Sequence, residues 1–256
     1  MPLARRARVR RAAVLLGLLV ACSEERSAPD ATTSAAPRAA PVAPATAAPT
    51  TTRSTAAPPT TAAPTTTLSL PVPPAPLVDV LDVEPTILVA ISKVGADNVT
   101  GAPLPGYEAN RAFLQPQAAA ALAEVQRALR PQGLGLKLYD AYRPVRATQA
   151  MVDWARSQGR GDLVGPYIAS RSFHNSGQAV DLTLVSLADG AELDMGTAYE
   201  TYAPEANTAN ATGVAAQNRA VLVGAMEAAG FENYDGEWWH YNFFVPGAEP
   251  LDEPVR

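Results

Sequence analysis

The chain is very poor in cysteine and histidine. Its 256 residues include one cysteine, Cys22, and two histidines. A single cysteine cannot form an intramolecular disulfide, so a disulfide-stabilised scaffold is excluded. The folded part must therefore be stabilised by a hydrophobic core, with or without the help of a metal ion.

Aromatic residues are absent from the first 106 positions, and all of them lie from Tyr107 onward. Residues 23–76 contain half of the 24 prolines, and Ala, Thr and Pro together make up 39 of these 54 residues. Such a segment cannot bury enough apolar surface to offset the entropy of ordering it. We therefore predict a disordered, extended tether over 23–76, with a reach of up to ~150 Å at ~3 Å per residue.

Residues 1–22 have the pattern of an export signal. Five arginines precede an apolar stretch at 12–21 that is too short to span a bilayer. The stretch ends in Leu-Val-Ala-Cys at 19–22, which resembles the lipobox of bacterial lipoproteins. This resemblance implies a lipid on Cys22 and a membrane as partner, on the extracytoplasmic face of the cell. An ordinary secretory signal with an incidental cysteine is the alternative, and the export route is open.

Residues 77–256 carry 12 basic and 22 acidic side chains, a net charge of −10. This excess of negative charge argues against nucleic acid or an anionic surface as a partner of this part. With a tether before it, we expect this domain of about 180 residues to carry the function.

The pattern of apolar residues predicts an α+β domain. Apolar spacing and Pro or Gly boundaries predict helices over 115–130, 144–158 and 213–229. Apolar runs predict strands over 87–91, 134–142, 179–185 and 237–245. Helices and strands do not alternate strictly enough for a doubly wound sheet, so we expect helices packed on a largely antiparallel sheet.

The two histidines each have an acid nearby. His174 precedes Asp181 across an Asn-Ser-Gly turn, and His240 follows Glu237. Two imidazoles and a carboxylate suit zinc, which keeps an open position for water when it is catalytic. The alternative for either histidine alone is a hydrogen-bonded structural residue.

Glu237 cannot share the face of His240 in a regular strand, because residues three apart point to opposite faces. Gly236 before it permits a turn or bulge that would direct the carboxylate into the same site. There Glu237 could act as a general base for the attacking water. An exposed loop glutamate is the alternative.

Four motifs resemble the D-alanyl-D-alanine dipeptidases of the vancomycin-resistance type, which are zinc peptidases related to the zinc D,D-carboxypeptidases. They are Tyr-Asp-Ala-Tyr-Arg-Pro at 139–144, Ser-x-His-x-x-Gly-x-Ala-x-Asp at 172–181, Leu-Asp-Met-Gly at 193–196 and Glu-Trp-Trp-His at 237–240. The similarity covers about 91–244 with the motifs in the family's order. The last motif is the more discriminating, since the carboxypeptidases tend to have Glu-Pro-Trp-His.

The resemblance implies one zinc ion per chain, a single peptidase domain and a defined set of metal ligands. His174, Asp181 and His240 would bind the zinc, and Glu237 would be the catalytic base. The implied reaction is hydrolysis of the D-Ala-D-Ala dipeptide at the cell envelope. A carboxypeptidase that trims the D-Ala-D-Ala ends of wall peptides, or a non-catalytic wall-binding lipoprotein, are the alternatives.

The resemblance also implies three residues that contact the substrate. Arg143 would stabilise the oxyanion, Ser172 would bind the C-terminal carboxylate, and Asp194 would bind the free amino group. For Arg143, the alternative is an arginine at the start of a helix without a role in the site. For Asp194, it is a neutral aspartate in a loop. The chain departs from the family at Lys93, where a tyrosine near the substrate is common; a lysine there would favour a carboxylate or oppose an ammonium group.

Overall fold

The computed structural model describes residues 76–256. The predicted signal peptide and lipobox lie outside the described residues, as does the predicted tether up to residue 75. Within the described part, no helix is both long and apolar enough to cross a membrane.

The centre of the domain is a five-stranded sheet. The strands of residues 76–256, in chain order, are β1 (Val78–Asp79), β2 (Leu88–Val89), β3 (Phe113–Leu114), β4 (Leu134–Asp140), β5 (Ala179–Ser186), β6 (Glu232–Asn233) and β7 (His240–Asn242). The sheet has the order β2-β4-β5-β7-β6, and only β2 and β4 are parallel. β1 and β3 form a separate antiparallel pair.

The α-helices of the same part are α1 (Val80–Val83), α2 (Pro116–Leu129), α3 (Val145–Ser157) and α4 (Gly213–Ala228). Short 3₁₀ turns are found at Ser92–Val94, Arg130–Gln132, Gly161–Leu163, Phe173–Ser176, Pro204–Ala206 and Thr208–Asn210. α2 and α4 contact each other, and they contact β4 and β5 respectively. The prediction of helices on a largely antiparallel sheet is therefore confirmed.

α2 shows how the sequence sets these elements. Pro116 begins the helix, where its missing N–H costs no hydrogen bond. The apolar residues Leu122, Val125 and Leu129 follow at helical spacing and are all buried. A 3₁₀ turn continues the chain to Gly133, whose left-handed backbone (φ 71°) ends the helical run before β4.

β5 is the central strand, and it separates the core from the site. Val180, Leu182 and Leu184 point to one face and belong to the hydrophobic core. Asp181 lies on the opposite face, as the period of two in a strand requires. Because Asp181 is also buried, both faces of this strand are covered.

The predicted elements are present, but two strands are much shorter than expected. Of the strand predicted over 87–91, only Leu88–Val89 pair in the sheet. The helices predicted over 115–130, 144–158 and 213–229 agree with α2, α3 and α4 to within one residue at each end. The strand predicted over 237–245 is wrong at both ends, since only His240–Asn242 pair in the sheet. Glu237 lies in a turn, and the backbone N–H groups of Phe243 and Val245 donate to Gln178 instead of a strand partner.

Candidate active site and metal centre

Three strands bring the central acidic and imidazole side chains side by side. In the register of the sheet, Asp181 on β5 lies opposite Asp140 on β4 and opposite His240 on β7. Directly opposed residues in a sheet have Cβ atoms within about 5.5 Å, so their side chains meet on the same face. The sheet therefore places a carboxylate of the candidate metal site between an acid and an imidazole.

His174 reaches this site from the 3₁₀ turn Phe173–Ser176. The Ser172 hydroxyl accepts a hydrogen bond from the His174 N–H at 3.3 Å and caps the turn. Gly177 ends the turn in the left-handed conformation with φ 67°, which a glycine adopts without strain. A Cβ at Gly177 would lie 2.6 Å from Leu77 Cδ2, so the close packing there also requires glycine.

His174, Asp181 and His240 form a compact group of potential metal ligands. His174 Nε2 lies 3.2 Å from Asp181 Oδ1 and 3.2 Å from His240 Nδ1, and His240 Nδ1 lies 2.9 Å from Asp181 Oδ1. Ligands on a tetrahedral ion with bonds of ~2.1 Å are ~3.4 Å apart, so the three atoms are spaced as one small metal ion requires. The donor set therefore fits such an ion.

The other nitrogen of each imidazole has a fixed partner. His174 Nδ1 donates to the Ala141 carbonyl at 2.6 Å, and His240 Nε2 donates to Asn242 Oδ1 at 3.0 Å. These bonds leave the nitrogens that face Asp181 as acceptors, the state in which a histidine binds a metal. Asn242 was missed from the sequence, although its position two residues after His240 places it on the same strand face.

Protonation of the three side chains follows from burial and mutual contact. Burial lowers the pKa of His174, which favours the neutral imidazole that a metal needs. Burial alone would raise the pKa of Asp181, but the two histidines hold it well below its usual range. Burial also opposes a charge on His240, yet Asp181 outweighs it and raises the pKa, so protons compete with a metal as the pH falls.

Glu237 is a buried carboxylate beside these three side chains. It lies in a turn in which its N–H donates to the Tyr234 carbonyl at 2.9 Å, and Gly236 fits there because a Cβ would lie 2.8 Å from the Tyr234 ring. Its Oε1 has no hydrogen-bond partner within the described part. Burial raises the pKa of Glu237 to about 8, in the range expected of a general acid or base.

Arg143 is oriented by Asp140, a residue that the sequence did not single out. Arg143 Nε donates to Asp140 Oδ2 at 2.9 Å, and Tyr107 donates its hydroxyl to Asp140 Oδ1 at 2.6 Å. A terminal nitrogen of Arg143 also lies 3.8 Å from Asp181 Oδ2. Asp140 is fully buried and stands three residues before Arg143 in the 139–144 motif, which was the available signal.

One cavity of about 270 Å³ gives access to most of the predicted site residues. Its wall includes the three candidate ligands and also Glu237, Arg143 and Ser172. Asp194 does not line this cavity; it is exposed, and its carboxylate accepts from the Gly196 N–H at 2.8 Å. The structure therefore gathers six of the seven predicted site residues and leaves Asp194 apart.

Lys93 also lies outside the cavity wall. Its side chain is fully buried and forms an ion pair with Glu200. The expected influence of a cation on the substrate is therefore screened by an adjacent carboxylate.

Fold and site together define a class of protein. Two imidazoles and a carboxylate spaced for one ion, with a buried carboxylate of raised pKa beside them, are the arrangement of a metal-dependent hydrolase. The family model described as D-Ala-D-Ala dipeptidase matches residues 74–254. The chain therefore belongs to the D-Ala-D-Ala dipeptidase family of metallopeptidases, and the resemblance noted in its motifs is confirmed.

Curated relatives agree with this assignment. A D-alanyl-D-alanine dipeptidase of Enterococcus faecium is 37% identical over 162 residues, which cover 57% of this chain and 80% of that protein. The dipeptidase of Enterococcus faecalis is 36% identical over 62% of this chain and 83% of its own length. The Escherichia coli dipeptidase is 33% identical over 68% of this chain and 88% of its own length.

Proposed function

We propose that the protein is a zinc enzyme that hydrolyses D-Ala-D-Ala to two D-alanines, with one zinc ion per chain. The observation that carries the proposal is the spacing of 2.9–3.2 Å among His174, Asp181 and His240 beside Glu237, whose Oε1 has no hydrogen-bond partner among the described residues. Zinc held by the three ligands would polarise the scissile carbonyl and lower the pKa of water. The dipeptide is the substrate for which the matched family and its relatives are named.

Glu237 moves the proton in this mechanism. Its free Oε1 takes a proton from the attacking water while the water oxygen bonds to the carbonyl carbon. The protonated Glu237 then gives the proton to the leaving nitrogen as the C–N bond breaks. A zinc ion bound beside Glu237 would lower this raised pKa. The carboxylate would then be ionised at the start of the reaction and able to accept the proton.

Arg143 and Ser172 hold the substrate. The Arg143 guanidinium is fixed by Asp140 and lines the cavity, where it stabilises the negative charge that develops on the carbonyl oxygen. Ser172 lines the same cavity, and its hydroxyl would bind the C-terminal carboxylate of the substrate. Asp194 does not line this cavity, so no contact with the substrate is assigned to it.

The test is hydrolysis by the purified, zinc-loaded protein. D-Ala-D-Ala should yield D-alanine, and L-Ala-L-Ala serves as the stereochemical control that should remain intact. A Glu237→Gln variant prepared in parallel controls for contaminating peptidases. Absence of D-alanine release from any D,D substrate by the zinc-loaded protein would contradict the proposal.

A second candidate is the trimming of D-Ala-D-Ala from the ends of longer wall peptides. Among the residues that line the cavity, the carboxylates are those of Asp181 and Glu237. Asp181 is assigned to the metal and Glu237 to proton transfer, so neither is available to bind the ammonium group of a free dipeptide. A second cavity of about 630 Å³ shares Arg171, Ser172 and Phe173 with the first. A higher kcat/KM for a D-Ala-D-Ala-ended pentapeptide than for the free dipeptide would favour this candidate.

We also propose that the enzyme is exported and anchored by a lipid on Cys22. The proposal rests on the basic and apolar segments of residues 1–22 and on the long tether that follows. A Cys22→Ser variant of the full chain should move from the membrane fraction to the soluble fraction of the cell envelope. Unchanged membrane association would show that another feature retains the protein.

A further inference from the structure

Lys93 is fully buried, which is rare for a lysine unless its charge is paired. Its ammonium group donates to the Tyr199 hydroxyl at 3.1 Å, to the Ser92 hydroxyl at 3.1 Å and to the Glu200 carboxylate. An ammonium group has three donors, and here each has an acceptor. The cost of burying the charge is therefore offset by a complete set of hydrogen bonds.

Tyr199 connects Lys93 to the metal site. Its hydroxyl accepts from Lys93 and donates to Asp181 Oδ2 at 2.8 Å. A tyrosine hydroxyl can donate one hydrogen bond and accept another, so it contacts Asp181 and Lys93 at the same time. The ring is stacked on Tyr139 with centroids 4.5 Å apart and meets Trp239 edge-on at 5.4 Å, which fixes its plane.

The two oxygens of Asp181 have different partners. Oδ1 faces His174 and His240, at 3.2 and 2.9 Å from their nitrogens. Oδ2 accepts from Tyr199. Rotation of the carboxylate would break the Tyr199 bond and move Oδ1 away from the two imidazoles, so Tyr199 restrains the orientation that a metal needs.

Glu200 holds Lys93 in its position beside Tyr199. One carboxylate oxygen pairs with Lys93 and accepts from Tyr202, and the other accepts from the Val99 N–H at 2.6 Å. Glu200 has φ 58°, a left-handed conformation that a glutamate rarely adopts and that its contacts must maintain. The Lys93–Glu200 pair thereby joins the segment around Lys93 to the segment that carries Tyr199.

We propose that Lys93 and Glu200 form a positioning pair that holds the Tyr199 hydroxyl on Asp181 and so raises the affinity of the site for zinc. Lys93 acts through Tyr199 and does not touch the substrate. The proposal rests on the zinc ligands of the proposed function. Loss of such an outer partner of a metal ligand lowers metal affinity by about 10- to 100-fold.

The test compares zinc dissociation constants, measured by chelator competition, for the wild type and four variants of the full chain. Tyr199→Phe should raise the Kd by about 10- to 100-fold, because Asp181 loses its restraint. Tyr142→Phe is the matched control: it removes a hydroxyl that bonds the Glu253 carbonyl, and its Kd should equal that of the wild type. Lys93→Met and the Lys93→Met/Tyr199→Phe double variant complete the set.

The double variant separates positioning from general stability. If Lys93 acts through Tyr199, its substitution should raise the Kd alone but add little once Tyr199 has lost its hydroxyl. Independent, multiplying effects on Kd, or an unchanged Kd in Tyr199→Phe, would overturn the proposal. A merely structural role would lower the stability of the metal-free protein and leave the zinc Kd unchanged.

Two further measurements cover a variant that does not fold and a failure of the proposed function. Lys93→Met leaves Glu200 buried without its partner; if it does not fold, Lys93→Met/Glu200→Gln removes both charges and should show the same rise in Kd. The Kd measurement does not need turnover, so D-Ala-D-Ala hydrolysis by the wild type tests the proposed function separately. Hydrolysis with an unchanged Kd in Tyr199→Phe refutes only the positioning role.

Discussion

Replacement of Glu237 by glutamine should reveal the energetic cost of this carboxylate in the metal-free protein. Burial raises its pKa from 4.5 to about 8, so the folded state favours the protonated acid. Between these two pH values the folded chain binds one proton more than the unfolded chain does. The stability contributed by this group is therefore complete below pH 4.5 and is lost as the pH rises toward 8.

The magnitude follows from the size of this interval. At ~1.4 kcal/mol per pH unit, the whole interval amounts to roughly 5 kcal/mol; the part between pH 5 and pH 8 amounts to about 3.5 kcal/mol, because the group is already partly titrated near each end. Glutamine has nearly the same shape but does not titrate. The free energy of unfolding of Glu237→Gln, relative to the wild type, should therefore increase by about 3.5 kcal/mol from pH 5 to pH 8.

Urea denaturation of the two metal-free proteins at several pH values measures this difference. Parallel pH profiles for wild type and variant would refute the assignment of a raised pKa to Glu237. In the zinc-loaded proteins, the variant should lose at least ~10²-fold in kcat with its zinc content unchanged. Near-full activity would require another base, and a loss of zinc would make Glu237 a ligand.

Three other substitutions test the remaining parts of the site. His240→Ala should lower zinc content and activity together, as measured by metal analysis and D-alanine release, because a ligand is lost; retention of both would exclude His240 from the metal site. Asp140→Asn should reduce kcat/KM by about 10- to 100-fold, since Arg143 loses the charge that orients it; an unchanged kcat/KM would contradict that role. Gly177→Ala should lower the free energy of unfolding by at least ~1 kcal/mol, because alanine is strained at φ 67° and its Cβ would clash with Leu77; equal urea midpoints would disprove this.

The sequence predicted the parts of the site that follow from local spacing. His174 and Asp181 lie on either side of a turn closed by Gly177, and both the turn and the strand after it are local features. Gly236 likewise permitted a turn that directs Glu237 into the site, although the predicted strand began at Glu237. The two histidines were informative because they are scarce, and their meeting point at Asp181 follows from the antiparallel order of the sheet.

The parts that sequence reasoning missed depend on contacts between distant segments. Tyr199 meets Asp181 across 18 residues, and Lys93 meets Glu200 across 107 residues. No periodicity within one segment specifies such pairs. Asp194 shows the converse, since its neighbours match a family motif while its own side chain is exposed and does not line the cavity. The strand predicted over 237–245 was too long because aromatic residues favour strands, whereas Trp238 and Trp239 are buried in the core before the strand begins at His240.

Metal binding depends on the correct register of β5 and β7. Asp181 and His240 are cross-strand partners, so a slip of one residue between these strands would turn one of them to the opposite face. A chain paired in the wrong register would then lack one ligand and bind zinc weakly. Because an ion that binds only the correctly folded state stabilises it by mass action, ~4 kcal/mol at a thousandfold excess over Kd, zinc would select the correct strand pairing from its competitors.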